Sequence, residues 1–156
     1  MKKIVQCVIL LFILCISPFA SPAQDIQRIN LVPQPKVVVE QKGSFLWTNK
    51  TPVYADAVFS KVAQLFSEQS GLAAPVPITG KMNTGIPAIV LRRQKLADTS
   101  SAEAYKIVIK PKQVDIFAAT EQGAIKAIFT LMQLRLLQTE QTLVPCGEIA
   151  DAPRFG

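Results

Sequence analysis

The chain has 156 residues, with 17 basic against 11 acidic, a formal net charge of +6, three cysteines and no histidine. The missing histidine excludes Ser-His-Asp and Cys-His nucleophilic sites, histidine-ligated zinc and the commonest general base at neutral pH. The positive charge is not arranged for nucleic acid, because no stripe of aromatic residues interleaves with the basic ones.

The chain opens with a positive start, Met1-Lys2-Lys3, and an apolar run from Ile4 to Ile16 interrupted by Gln6. Ser17-Pro18 breaks the run, and Ser21-Pro22-Ala23 places small residues where a signal peptidase reads. That three-part order predicts a secretory signal peptide over residues 1–23, cut between Ala23 and Gln24. A retained membrane anchor is the rival, but 13 apolar residues fall short of the ~20 a spanning helix needs. Cys15 raises a lipid-anchored alternative, for which Leu14 sits where a small residue is wanted. Cleavage would remove 23 of the 156 residues and leave 133, with 15 basic against 11 acidic and a net charge of +4. Cys146 would then be the one remaining cysteine. A domain of that size, exported to a periplasm or beyond the cell, has no internal disulfide and must be held by its core.

After a polar lead-in, Leu31-Val32-Pro33-Gln34-Pro35 is expected to be extended without ladder donors. Val37-Val38-Val39 and Phe45-Leu46-Trp47 read as two short strands around a turn at Gly43, and Pro52 to Ala55 as a third strand. Trp47 reads as a strand residue packed on the core, with a sugar-stacking platform as the alternative. Phe59 to Ser70 is the first predicted helix. Phe59, Val62, Ala63 and Phe66 make one apolar stripe, and Gly71 supplies the stop. Ala73 to Pro87 is expected to be loop and Ala88 to Leu91 a buried strand. The basic Arg92-Arg93-Gln94-Lys95 behind it reads as a solvated strand end, or else as a seat for an anionic ligand.

Tyr105 to Ile109 and Val114 to Ala118 are strand-like runs joined by a Pro-containing turn, so a hairpin is predicted. Thr120 is placed to cap a second helix from about Glu121 to Leu137, with the Glu121 charge at its positive end. That helix is apolar on two sides. Ile125, Ile128, Phe129, Met132 and Leu136 form one face; Ala124, Ala127, Leu131 and Leu134 form a second. A helix lying on a sheet with its outer side in water needs one stripe of about 100°. The second helix is therefore covered by something beyond this domain, or slotted deep into the domain's own core. Strands, helix, strands and helix in that order predict an α+β domain, an antiparallel or mixed sheet with two helices on one face.

The chemistry available is sparse. Cys146 has no base partner and reads as a small semi-buried residue. Thr79-Gly80-Lys81 lacks the upstream glycine of a phosphate loop. Glu148 and Asp151 lie three apart in a Pro-flanked segment after the last helix, and Asp115 points outward on its strand. None of these builds a carboxylate pair held in a cleft. No catalytic, substrate-binding or metal-ligating residue is assigned in this chain, and no cofactor is expected.

Leu31-Val32-Pro33-Gln34-Pro35-Lys36 with Gly43-Ser44-Phe45 resembles the opening of exported bacterial β-N-acetylhexosaminidases of glycoside hydrolase family 20. Ala119-Thr120-Glu121-Gln122-Gly123-Ala124 and Ile149-Ala150-Asp151-Ala152-Pro153-Arg154-Phe155-Gly156 resemble two further stretches of the same proteins, in order and at natural spacing. The resemblance implies a non-catalytic first domain over residues 24–148, whose sheet and two helices pack on a (β/α)8 barrel in cis. It further implies that residues 149–156 begin the linker into that barrel, which carries the Asp-Glu pair and the sugar-binding groups. Hydrolysis there uses the substrate's own acetamido group as nucleophile, and glycan is met only through the barrel. Other exported hydrolases of N-acetylglucosamine conjugates have a similar first domain. The alternative is a free-standing exported carbohydrate-binding or adaptor module with no enzymatic activity, no nucleic acid partner and no stable membrane span after cleavage.

Overall fold

A computed structural model describes residues 29, 31–78, 85–97, 101–136 and 143–153. The predicted signal peptide with its cut at Ala23 and Gln24, the Thr79-Gly80-Lys81 segment and Arg154 to Gly156 lie outside these residues. The elements are β1 (Val37–Leu46), β2 (Val53–Ala55), a 3-10 turn (Ala57–Phe59), α1 (Ser60–Ser70), β3 (Val76–Pro77), β4 (Ala88–Arg93), β5 (Tyr105–Lys110), β6 (Gln113–Ala118), α2 (Glu121–Leu136) and β7 (Leu143–Asp151). The strands form one sheet in the order β1-β7-β5-β6-β4-β2-β3.

The sheet is mixed, and its two halves follow from their connections. The hairpin turn Pro111-Lys112 joins β5 to β6, which therefore pair antiparallel with Lys110 opposite Gln113; short links leave no other choice. β7 also runs antiparallel to β5, so β6 and β7 point the same way on either side of it, and α2 spans the crossover that parallel strands require. β4, β2 and β3 are parallel to β6 and to one another, with α1 as the crossover from β2 to β3. The fold class expected from sequence holds: α+β, with both helices against the sheet and touching each other.

The stripe predicted for α1 is the buried one: Phe59, Val62, Ala63 and Phe66 all lie in the core. Gly71 ends this helix with φ +65°, and the Leu72 amide donates to the Ser67 carbonyl at 2.9 Å, satisfying an otherwise orphaned acceptor. Thr120 caps α2 as expected: its hydroxyl accepts from the Gly123 amide at 3.2 Å. The same hydroxyl donates to the Ala102 carbonyl, which ties the start of α2 to the loop before β5.

Three local readings are corrected. Val37 to Leu46 is one strand, not two around a turn, because the whole run pairs with β7. Gly43, at φ +104°, sits inside a register shift between Glu40 and Ser44; its glycine kinks the strand as a bulge and does not reverse it. β7 in turn falls in the Pro-flanked segment after the last helix, where no strand was expected. Pro145 is tolerated because it precedes Gly147, the first residue of β7 with a β5 partner, so no ladder donor is asked of it from that side. β7 continues to Asp151, and fully buried Ile149 pairs with Ile107 and Val38. Residues 149–151 thus belong to the sheet. The loop read over Ala73 to Pro87 also contributes the two-residue edge strand β3.

Cys146, the cysteine among the described residues, is free, and the domain rests on an apolar cluster between sheet and helices. Its fully buried members include Trp47, Phe45, Phe59, Phe66, Ile107 and Leu131. Each such side chain contributes about 1.5–3 kcal/mol on burial, against about 0–1 for an exposed ion pair. Backbone fit then limits what the sequence can hold. A Cβ on Gly123 would stand 2.4 Å from the Ala104 carbonyl oxygen, whereas one on Gly71 would meet nothing within 4 Å. Gly71→Ala should therefore cost only the left-handed backbone strain, about 1 kcal/mol. Gly123→Ala should cost more, about 1–3 kcal/mol through overpacking, even though alanine is the better helix former. Urea unfolding of the two variants checks the order; equal losses would show that the 102–104 loop yields freely.

Candidate functional site

Residues that sequence reading singled out are mostly absorbed into structure. Trp47 is fully buried; Phe66 meets its ring edge-on with centroids 5.5 Å apart, and the Arg135 guanidinium lies 4.8 Å over it. Arg135 also donates to the Ser70 carbonyl at 3.1 Å, so the indole joins the ends of both helices. This decides for the core reading of Trp47, since a sugar platform needs an open ring face.

The carboxylates do not converge. Asp115 lies on the sheet face away from the helices, as alternation predicted, yet it is 8% exposed because β6 is central. It accepts from Gln113 Nε2 at 2.7 Å and Arg92 Nε at 3.3 Å. Glu148 pairs with Lys106 at 2.6 Å, and Asp151 accepts from the Lys36 amide at 3.3 Å. In the basic run, the Arg93 amide donates to Asp56 at 2.6 Å, and Arg93, Gln94 and Lys95 are exposed, as a solvated strand end would be. Among the described residues no group of three His, Cys, Asp or Glu side chains is placed to hold a metal ion. None of their helices is long and apolar enough to cross a membrane.

What stands out is a surface. α2 buries Ala124, Ala127, Ile128, Leu131 and Leu134 against the sheet and α1. Ile125 and Met132 are half-buried, while Phe129 is 51% and Leu136 81% exposed. At positions 125, 129, 132 and 136 these four share one helical stripe. Val32, 80% exposed, adjoins it, because Gln133 Nε2 donates to the Val32 carbonyl at 3.0 Å. Of the two apolar faces read from the sequence, the domain's own core covers the Ala124, Ala127, Leu131 and Leu134 face and also takes Ile128 from the other, with Ile125 and Met132 packed against its edge and Phe129 and Leu136 left exposed. Val32 could not be assigned to the surface from sequence, since its partner Gln133 lies a hundred residues away.

The family model for glycosyl hydrolase family 20, domain 2, matches residues 28–152. This chain belongs to that family. A β-N-acetylhexosaminidase of Cellulomonas fimi is 29% identical over 135 residues, 81% of this chain and 27% of that protein. A β-hexosaminidase of Vibrio furnissii is 27% identical over 134 residues, 86% of this chain and 21% of the relative. The chain thus spans about a quarter of the length of the curated relatives it matches. Among solved structures, the β-N-acetylhexosaminidase of Bacteroides fragilis superposes with a TM-score of 0.66 at 25% identity, over 81% of this chain and 25% of that one. The family 20 enzyme of Streptomyces coelicolor gives 0.63 at 23% identity, covering 78% and 26%, a likeness of fold.

Among the described residues of this family 20 domain, Tyr105 and Cys146 have surroundings that raise their pKa values above the ordinary ones. Burial pushes the Tyr105 phenol above its usual 10.0, the Thr130 hydrogen bond at 2.7 Å pulls it down, and the Asp151 charge adds to the rise. Burial likewise raises the Cys146 thiol above 9.0. For both, the folded state holds its proton more tightly than the unfolded one. Their contribution to stability is therefore complete below the unfolded values and is lost as pH rises through the folded ones. Unfolding free energy should fall above about pH 9–10. Tyr105→Phe should lose about 1 kcal/mol at neutral pH with its hydrogen bond but decline less steeply in alkali. Urea titrations at neutral and alkaline pH measure both slopes, and identical slopes would remove Tyr105 as a cause.

Proposed function

We propose that this domain is the non-catalytic companion of a β-N-acetylhexosaminidase barrel carried in the same polypeptide. The assembled enzyme releases terminal N-acetylhexosamine from glycans, and this domain contributes no reacting group; its work is to fold beside the barrel and support it. The observation that carries the reading is the exposure of Phe129 and Leu136 on α2, beside half-buried Ile125 and Met132, on a chain of this family. A large contiguous apolar patch marks a covered surface, and a barrel wall following β7 is the cover the family supplies. The glycan is met at the barrel alone. We further propose that residues 1–23 form a signal peptide cut between Ala23 and Gln24, and that the product works in a periplasm or outside the cell. The linker toward the barrel then starts past Asp151, where β7 ends.

A free-standing binding or adaptor module is the second reading, and the open stripe speaks against it, because a self-sufficient module gains nothing from leaving Phe129 and Leu136 in water.

The chain alone should release no chromophore from a nitrophenyl N-acetylglucosaminide, whereas a longer polypeptide that adds the barrel should. The chain should also bind a hydrophobic dye strongly, and Phe129→Ser with Leu136→Ser should weaken that signal while the thermal midpoint holds. In the longer polypeptide the dye signal should be low without substitution. Turnover by the chain alone, or a dye signal indifferent to these two positions, would overturn the reading.

A further inference from the structure

A second surface lies at the end of the sheet where β5 turns into β6. Lys110 and Lys112 flank Pro111 in that turn and are exposed. The β1 bulge packs onto the same turn: a Cβ on Gly43 would stand 3.6 Å from Pro111 Cγ. Exposed Lys42 is thereby brought beside Lys110 and Lys112, some seventy residues away in sequence. The Lys112 carbonyl accepts from the Ala88 amide, and the Pro52 carbonyl from Ile89. The start of β4 is thus flanked by Lys112 on one side and by Pro52 on the other. Exposed Lys50, two residues before Pro52, extends the same rim. The ion pairs of the described residues join Arg92 to Asp115, Lys106 to Glu148 and Lys126 to Glu103. Among those residues, none of the four rim lysines has a carboxylate partner.

Apolar side chains punctuate this rim. Leu46 and Leu143 are exposed and sit opposite each other where β1 ends and β7 begins. Ile86, also exposed, precedes β4 by two residues. Lysines are strongly hydrated point charges on flexible stems, suited to a diffuse field of negative charge and not to one planar anion. Exposed leucine and isoleucine among them are able to enter an apolar phase, which a lipid headgroup boundary offers and a hydrated acidic polysaccharide does not.

We propose that the rim formed by Lys42, Lys50, Lys110 and Lys112 rests on an anionic phospholipid surface, with Leu46, Leu143 and Ile86 at the headgroup boundary. The contact is peripheral and salt-sensitive, since exposed charges separated by more than a Debye length of ~8–10 Å are screened at ordinary ionic strength.

The test uses the whole chain and its Lys42→Gln, Lys110→Gln, Lys112→Gln triple variant, so that the N-terminal apolar segment is the same in both. Both are sedimented with vesicles of phosphatidylglycerol and phosphatidylcholine in equal parts, with pure phosphatidylcholine vesicles, and with soluble alginate as an acidic polysaccharide. The triple variant should keep its thermal midpoint, because all three positions are exposed, and should lose roughly a hundredfold in partition onto the anionic vesicles at ~1 kcal/mol per lysine. Leu46→Ser with Leu143→Ser should weaken vesicle binding further without changing its salt dependence. Equal partition of chain and triple variant, equal binding to neutral vesicles, or lysine-dependent binding to alginate in place of vesicles would each overturn the proposal.

Discussion

At Gly147 the backbones of β7 and β1 come so close that a Cβ would stand 2.5 Å from the Val39 carbonyl oxygen. The rest of the sheet depends on that approach. β7 is the strand that joins β1 to β5, and through it the first described strand of the chain is attached to the others. The same spot holds the segment before β1: Ile29 Cδ1 lies 3.2 Å from where that Cβ would be, and the Ile29 amide donates to Glu40 at 2.9 Å. Only glycine leaves room for a neighbouring backbone at this distance. Lys36 completes the closure, with its amide on Asp151 and its Nζ donating to the Pro153 carbonyl at 3.1 Å. The first and last described parts of the chain are therefore braced against each other before the chain passes on.

The helices answer to a second constraint. Trp47 lies just after β1, yet it is gripped by Phe66 of α1 and Arg135 of α2. This fixes how far the two helices extend over the sheet, and with it which side of α2 faces outward. Ala124 and Ala127 let that helix approach the strands closely, while Ile128, Leu131 and Leu134 fill the space between. Phe129 and Leu136 are left exposed on the far side. A surface meant for water would carry the reverse arrangement.

Local physics was legible in the sequence where it acts over a few residues. The α1 stripe, the Gly71 stop, the Thr120 cap and the Lys110-Pro111-Lys112-Gln113 turn each depend on neighbours within one or two turns of chain, and each appears as expected. Where partners are distant, the reading failed. Gly43 looks like a hairpin turn until β7 is seen to pair on both sides of it, and Pro145 with Gly147 hides a strand whose register is set by β1 and β5. Asp115 shows the same limit: alternation chose its face correctly, but its burial comes from Arg92 and Gln113 on that face. The two-sided character of α2 was readable from periodicity, though not which side the sheet would take. The three family motifs, weak singly, were readable because they occur in order. The lysine rim was invisible, since Lys42 meets the hairpin only through a packed bulge.

The pairing of β1 with β7 also sets an order of events during synthesis. More than ninety residues separate Leu46 from Leu143, and contacts of such span form late because their loop entropy must be overcome first. Until β7 has left the ribosome, β1 has no neighbour in the sheet, and its open edge carries Val37, Val39 and Leu46 outside the core. A strand in that condition pairs readily with a stranger. The nascent chain therefore travels with its first strand unmatched for almost the whole length of the domain. A chaperone that shields it has its longest task here, between the emergence of Leu46 and the arrival of Leu143.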